Sequence, residues 1–211
     1  MIIQSNVVFF IGYAGHAYSV IDTAIKNSFE PEGYFELLKK NSNPFNLKYL
    51  GNELNYDFSN FNSIIFPSIG NNQLRMKVHQ FIQKKKLKEC SFIHPSTILG
   101  FEVKIGKSTF VSSGTIINTL GKIGDACILN TGCVIDHEAV IENYVHIGPG
   151  STLAGNVKIG EGTFIGANCT IIQGVSIGRN CIIGAGSVVL KNVEDNSVIV
   201  GNPGKFLRKN D

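Results

Sequence analysis

The sequence predicts a small parallel α/β domain followed by a parallel β-helix, and three observations carry that prediction. Residues 91–192 divide without insertion or deletion into seventeen hexapeptides, each with Ile, Leu or Val at its third position, from Ile93 to Val189. Residues 1–90 lack that register and alternate apolar runs with amphipathic stretches. The composition, 43% hydrophobic and 17% charged, suits a folded chain, because a disordered one lacks apolar residues and carries excess charge.

In the first ninety residues, the apolar run Val7 to Ile11 leads into Gly12-Tyr13-Ala14-Gly15-His16 and then an amphipathic stretch through Lys26. That is strand, glycine turn and helix. A second strand is expected near Gly33 to Phe35, and Ser63 to Ile69 with Asn71 to Lys86 repeats strand and helix. Alternating strands and helices point to a parallel, Rossmann-like sheet of mononucleotide-binding type. A helix opened by glycines offers N–H groups to a phosphate, yet Gly12-x-x-Gly15 is not GxGxxG. The turn therefore reads equally as a phosphate site and as a plain tight turn, and a dinucleotide is disfavoured. Lys84, Lys85, Lys86 and Lys88 end the second helix, where cations suit the macrodipole, and they read as a solvated end.

A helix turning about 100° per residue would scatter every sixth residue over three faces, so the later period is not helical. Each hexapeptide reads as a short strand with an aliphatic side chain inward and a small first residue filling a corner. The fourth position, often Gly as at Gly106, Gly124 and Gly148, is expected to tolerate the positive φ of a bend. Three strands make a triangular coil of eighteen residues, and about five to six coils stacked at about 4.8 Å give a prism. Cys127, Cys133, Cys169 and Cys181 all occupy the small first position. Cys133 and Cys169 lie two coils apart, about 9.6 Å, too far for a disulfide, so buried small residues are expected. After Val193 to Val200, the turn residues Gly201-Asn202-Pro203-Gly204 end the repeat, and the basic tail is expected to cap the prism.

No apolar run approaches the roughly 18 residues of a membrane span, and no basic segment precedes Val7 to Ile11 as in a signal peptide. A cytoplasmic location is the expectation. A net charge of +3 is too small for a nucleic-acid footprint. The repeat holds His94, His137 and His146 with neither CxxC nor HxxxxH spacing, so no metal site is expected and a zinc hydratase on the same fold is disfavoured.

A β-helix supplies strands rather than chemistry, so function rests on residues that break its pattern. Asp136-His137-Glu138 is the main candidate: a neutral imidazole accepts a proton near neutral pH while a carboxylate orients it. Gly155 follows His137 by eighteen residues and is expected directly above it. His146 lies half a coil on, where a neighbouring subunit could bring the two faces together. A purely structural β-helix protein is the bland alternative.

Asn130 to Glu138 (NTGCVIDHE), His146 to Gly150, Leu153-Ala154-Gly155, Gly12-x-x-Gly15-His16 and Gly201-Asn202-Pro203 together resemble bacterial hexapeptide-repeat sugar acyltransferases. That family includes sialic acid O-acetyltransferases and UDP-4-amino-sugar N-acetyltransferases. The resemblance implies a left-handed β-helix, a nucleotide-sugar-binding domain at 1–90, an acetyl-CoA-binding domain at 91–192 and a capping tail at 193–211. It implies transfer of acetyl from acetyl-CoA, a cosubstrate rather than a resident cofactor, to the amine of a nucleotide-linked sugar such as a UDP-4-amino-4,6-dideoxy sugar. O-acetylation of a sugar or sialic acid is the alternative. His137 is implied as general base with Glu138 assisting, and His146, Gly155, Ala167 and Ala185 as the oxyanion and acetyl-CoA region. Gly12, Ala14, Gly15, His16, Glu36 and Asn130 are implied to hold the substrate, and the assembly is implied to be a homotrimer.

Overall fold

Val7–Ile11 (β1) is apolar at every position, as suits the middle of a parallel sheet covered on both faces. The computed structural model describes residues 6–210, so the first five residues of the expected N-terminal domain and the last residue of the expected tail lie outside it. β1 pairs in parallel with β2 (Glu30–Phe35) and β4 (Ile64–Pro67), and β2 pairs with β3 (Lys48–Tyr49), giving the order β3-β2-β1-β4. Val8 and Phe10 face helix α1 (Gly15–Lys26), whereas Phe9 and Ile11 face helix α2 (Asn72–Lys84). Strand alternation thus divides β1 between two cores.

The second strand starts at Glu30, earlier than the expected Gly33, because the polar Glu30-Pro31-Glu32 is drawn into pairing by β1. β3 and the 3₁₀ turn Glu53–Asn55 have no sequence signature of their own. Tertiary context makes them.

Each hexapeptide contributes a two-residue strand, from Phe92–Ile93 to Val188–Val189. Partners are eighteen residues apart, as in Ile128 with His146 and Val134 with Thr152. Third-position residues such as Ile135, Ile147, Leu153 and Ile171 form one buried aliphatic column system inside the prism. The four first-position cysteines are buried free thiols, and burial pushes those of Cys127 and Cys133 up to about 12. They stay protonated at neutral pH.

The bend chemistry differs from the expectation. Positive φ falls at every sixth residue from Glu102 through Gly186, including Glu138, Tyr144 and Asn156, and not at the fourth-position glycines. Those glycines answer a different need. A Cβ on Gly148 would lie 2.6 Å from the Gly166 carbonyl carbon, and one on Gly160 equally close to that of Gly178. At these glycines the next coil comes too close for a Cβ, although the same columns carry Asn130 and Glu142 at other levels.

The β-helix also runs past residue 192. Val193 bridges to Ile177, and Ser197–Val200 pairs in parallel with Ile182–Ile183. Ile182 and Val198 are sixteen residues apart, so this coil is two residues short and escapes a strict hexad count. Lys205–Lys209 then returns antiparallel along Ser197–Val200 and covers that strand's open edge. Among the described residues, no helix is long and apolar enough to cross a membrane.

The α/β domain sits on one face of the prism. Outward-facing Phe92, Phe110 and Ile128 are buried in the same cluster as Phe10, Ala17, Val20 and Phe66. A polar clamp lies beside it: fully buried His79 of α2 holds Glu89 at 2.9 Å and meets the Tyr144 hydroxyl at 3.4 Å, while Ser108 Oγ donates to Glu89 at 2.7 Å.

The two glycine classes predict different costs. Gly160→Ala, which forces backbone apart, is expected to destabilise the chain by about 1–3 kcal/mol. Gly174→Asn, at φ +74 with nothing within 4 Å, is expected to change stability by less than about 0.5 kcal/mol, because Asn tolerates that region. Denaturant melts of the two variants check this, and equal costs would refute the distinction.

Candidate active site

In a parallel sheet, ligands bind beyond the carboxyl ends of the strands where the strand order reverses. Here the ends of β1, β2 and β4 enclose a cavity of about 410 Å³ whose lining includes Gly12, Ala14, His16, Glu36, Glu53 and Gly70. Gly12 has φ +99, and a Cβ there would lie 2.7 Å from Ile69 Cγ1, so only glycine fits. α1 begins at Gly15 with Ala14 as its cap and no side-chain hydrogen bond there, which leaves first-turn N–H groups at the cavity wall. Glu36 is partly committed: it accepts from the Tyr13 N–H at 2.9 Å and pairs with Lys40 at 3.3 Å. Asn52 and Glu53 also line the cavity, and sequence reasoning missed them because β3 positions them.

His16 faces His146, with ring centroids 6.4 Å apart. His16 stands edge-on to Phe110, and His146 to Phe164. Asn130 Nδ2 is 3.4 Å from His146 Nε2, the backbone of Gly70 lies beside the His146 ring, and His16 Nε2 is buried without a partner among the described residues. Burial, reinforced by the charge of Arg75, pushes His16 down to about 4. Burial, then Arg75 and then His16, pushes His146 down to about 3. Both rings are neutral hydrogen-bonding groups at neutral pH.

His137 has the opposite surroundings. It lies at the corner between the strands Val134–Ile135 and Val140–Ile141, with its side chain 48% exposed. Its Nδ1 is 3.1 Å from Glu138 Oε2, and its main-chain N–H donates to Asp136 Oδ1 at 2.8 Å. Asn118 Nδ2 donates to the same oxygen, and these two bonds, the Asn118 one first, hold the Asp136 carboxyl below its usual range. Gly155 stacks on the imidazole as the eighteen-residue spacing requires. A Cβ at Gly155 would come within 2.5 Å of His137 Cε1. Among the described residues, the Gly155 N–H donates to no group. Glu138 thus occupies one ring nitrogen, and the other, Nε2, lies against Gly155.

One chain does not bring all the expected residues together. His137, Glu138 and Gly155 share one corner of the prism. His146 and Asn130 lie with His16 on the face covered by the α/β domain. Half-buried Ala167 and exposed Ala185 follow the strands Phe164–Ile165 and Ile182–Ile183 at another corner.

Comparison with known proteins bears on this arrangement. Residues 7–82 match the PglD N-terminal domain, and residues 156–191 match the bacterial transferase hexapeptide (six repeats). A histidine variant of perosamine N-acetyltransferase from Caulobacter crescentus, solved in complex with CoA and GDP-perosamine, is 31% identical. The match covers 96% of this chain and 97% of that one with a TM-score of 0.90. The chain belongs to the PglD-type hexapeptide-repeat sugar N-acetyltransferases.

The acetyltransferase domain of PglB from Neisseria gonorrhoeae FA1090, in complex with acetyl coenzyme A, is 26% identical. It is covered over 100% of its length against 96% of this chain, with a TM-score of 0.89. No curated protein matches the chain in sequence. As a member of this family the protein is an acetyl-CoA-dependent sugar N-acetyltransferase, and acetyl-CoA is its cosubstrate.

The buried histidine pair makes the stability of this N-acetyltransferase depend on pH. Unfolded histidines protonate near pH 6.5, whereas His16 and His146 stay neutral down to about 4 and about 3. Between those limits the unfolded chain binds more protons, so stability rises with pH and levels off above about 6.5. Urea midpoints measured from pH 4.5 to 7.5 are expected to climb, and His146→Gln to flatten the slope. An unchanged slope in that variant would show that His146 titrates normally in the fold.

Proposed function

We propose that this chain transfers acetyl from acetyl-CoA to the amino group of a nucleotide-linked sugar, with His137 as general base. The observation that carries this reading is the half-exposed imidazole of His137, held at Nδ1 by Glu138, with Gly155 and its unpartnered N–H stacked against the Nε2 edge of the ring. The sugar nitrogen attacks the thioester carbonyl and forms the C–N bond, and Nε2 takes the proton the nitrogen sheds. The Gly155 N–H holds the developing oxyanion; one such donor is worth about 3 kcal/mol. As the C–S bond breaks, the imidazolium returns its proton to the departing CoA sulfur. Glu138 orients the ring and stabilises its charged form.

The cavity at Gly12 to His16 takes the acceptor nucleotide, with the uncapped turn of α1 for its phosphates. The sequence resemblance favours UDP, and the Caulobacter relative was solved with GDP-perosamine, so both nucleotides belong in the acceptor panel. The base and this cavity lie on different faces of one prism, and a second copy of the chain completes the site. Cyclic symmetry of a homotrimer makes three such clefts equivalent.

His137→Ala is expected to lower kcat by about 10²- to 10⁴-fold with acetyl-CoA binding intact, and Glu138→Ala to cost less. The His137→Ala loss is expected to be larger for a hydroxyl acceptor than for an amine, which attacks without prior deprotonation. Turnover within a fewfold of wild type in a trimeric His137→Ala variant would remove His137 from the chemistry. Light scattering under assay conditions tests the shared site, and a fully active monomer would rule it out.

A further inference from the structure

Arg75, on the inner side of α2, is the largest fully buried side chain among the described residues, with 1% of its surface exposed. All five of its guanidinium N–H groups are used. Nε donates to Ala126 O at 2.7 Å, Nη1 to Ile69 O and Gly70 O at 3.0 Å each, and Nη2 to Asn72 Oδ1 and Tyr144 O at 2.9 Å each. Among the described residues no carboxylate pairs with it. A buried cation without a counter-ion costs several kcal/mol in desolvation, about as much as an apolar side chain of that size would gain. Packing alone does not explain it.

The acceptors explain more. Ile69 and Gly70 form a rim of the nucleotide cavity, and Gly70 lies against His16, whose Cβ would be 3.8 Å from a Cβ built on the glycine. Ala126 and Tyr144 are stacked bend residues of the β-helix, both at positive φ, and Tyr144 stands two residues before His146. One planar fork therefore joins the rim that touches His16 to the coil that carries His146. Burial lowers Arg75 only to about 10, so it remains charged at neutral pH.

We propose that Arg75 is a positioning residue of the acceptor site: its guanidinium ties the Ile69–Gly70 rim to the β-helix and holds His16 and His146 in register across the cavity mouth. This rests on the reading of that cavity as the acceptor site. The domain junction has its own fastenings in the Phe92–Phe110–Ile128 cluster and the His79–Glu89 clamp, so loosening Arg75 frees the rim without undocking the domain. Lysine has a single ammonium and cannot span four carbonyls and an amide in one plane.

The test uses the full chain with Arg75→Lys and Arg75→Ala. Its readouts are melting temperature, Kd for acetyl-CoA, GDP and UDP, and acceptor KM, with and without millimolar guanidinium ion. Both variants are expected to raise the Kd of the preferred nucleotide and the acceptor KM by about 10- to 100-fold while acetyl-CoA Kd stays within about twofold, since a displacement near 1 Å costs that much. Guanidinium is expected to restore part of the loss in Arg75→Ala and none in Arg75→Lys. If Arg75→Ala does not fold, Arg75→Lys decides. A folded Arg75→Lys with wild-type acceptor KM, or equal loss of acetyl-CoA and nucleotide binding, overturns the proposal alone. A wild-type chain that binds neither GDP nor UDP overturns the acceptor reading and this proposal together.

Discussion

Backbone pairing between residues eighteen apart is the constraint on which the rest of this molecule depends. It forces each position of the hexapeptide into a column, and every column then has one environment. The third position faces the prism interior and must be aliphatic, and the fourth meets the backbone of the next coil and favours glycine. The sixth turns through positive φ. Glu138 sits at a sixth position, and the left-handed bend there leaves its carboxylate beside the Nδ1 of the preceding residue. The same register delivers Gly155 to the face of the His137 ring. A scaffold rule built for stability thus places an imidazole, a carboxylate and a free amide in one corner.

The histidines divide by environment rather than by type. His137 is half exposed and has a carboxylate on one nitrogen and Gly155 against the other. His16 and His146 are enclosed by Phe110, Phe164 and each other, with the Arg75 charge nearby, and they resist protonation. A protonated ring in that enclosure would face a buried cation with no anion to offset it.

Much of this was legible in the sequence, because the period of six is an unusual signal that excludes a helix and fixes inward positions. The strand, glycine turn and helix at Val7 to Lys26, the buried cysteines and the His137–Gly155 column all follow from it or from simple patterning. What escaped reading was decided by contacts between distant segments. β3 has two residues and exists because β2 offers an edge; Asn52 and Glu53 reach the cavity only through it. The fourth-position glycines looked like bends, whereas close approach between coils requires them. The coil ending at Val200 is two residues short, so a strict hexad count stops at 192 although the pairing goes on. Arg75 carries no motif: in the sequence it is one cation on an amphipathic helix, and its acceptors come from three separate stretches of chain, at 69–72, 126 and 144.

The separation of the two halves of the site follows from the prism's shape. An α/β domain large enough to hold a nucleotide needs a whole face to bury its apolar surface, and Phe92, Phe110 and Ile128 provide that face. The strand columns leading to His137 belong to the other two faces, so within one chain the Gly12–His16 cavity and the His137–Gly155 corner lie on different faces of the prism. On the proposed reading, a base that is to reach a sugar held in the Gly12–His16 cavity comes from another copy of the chain, and the half-exposed His137 side chain is what that arrangement requires: a group buried before assembly could not meet a substrate presented from outside.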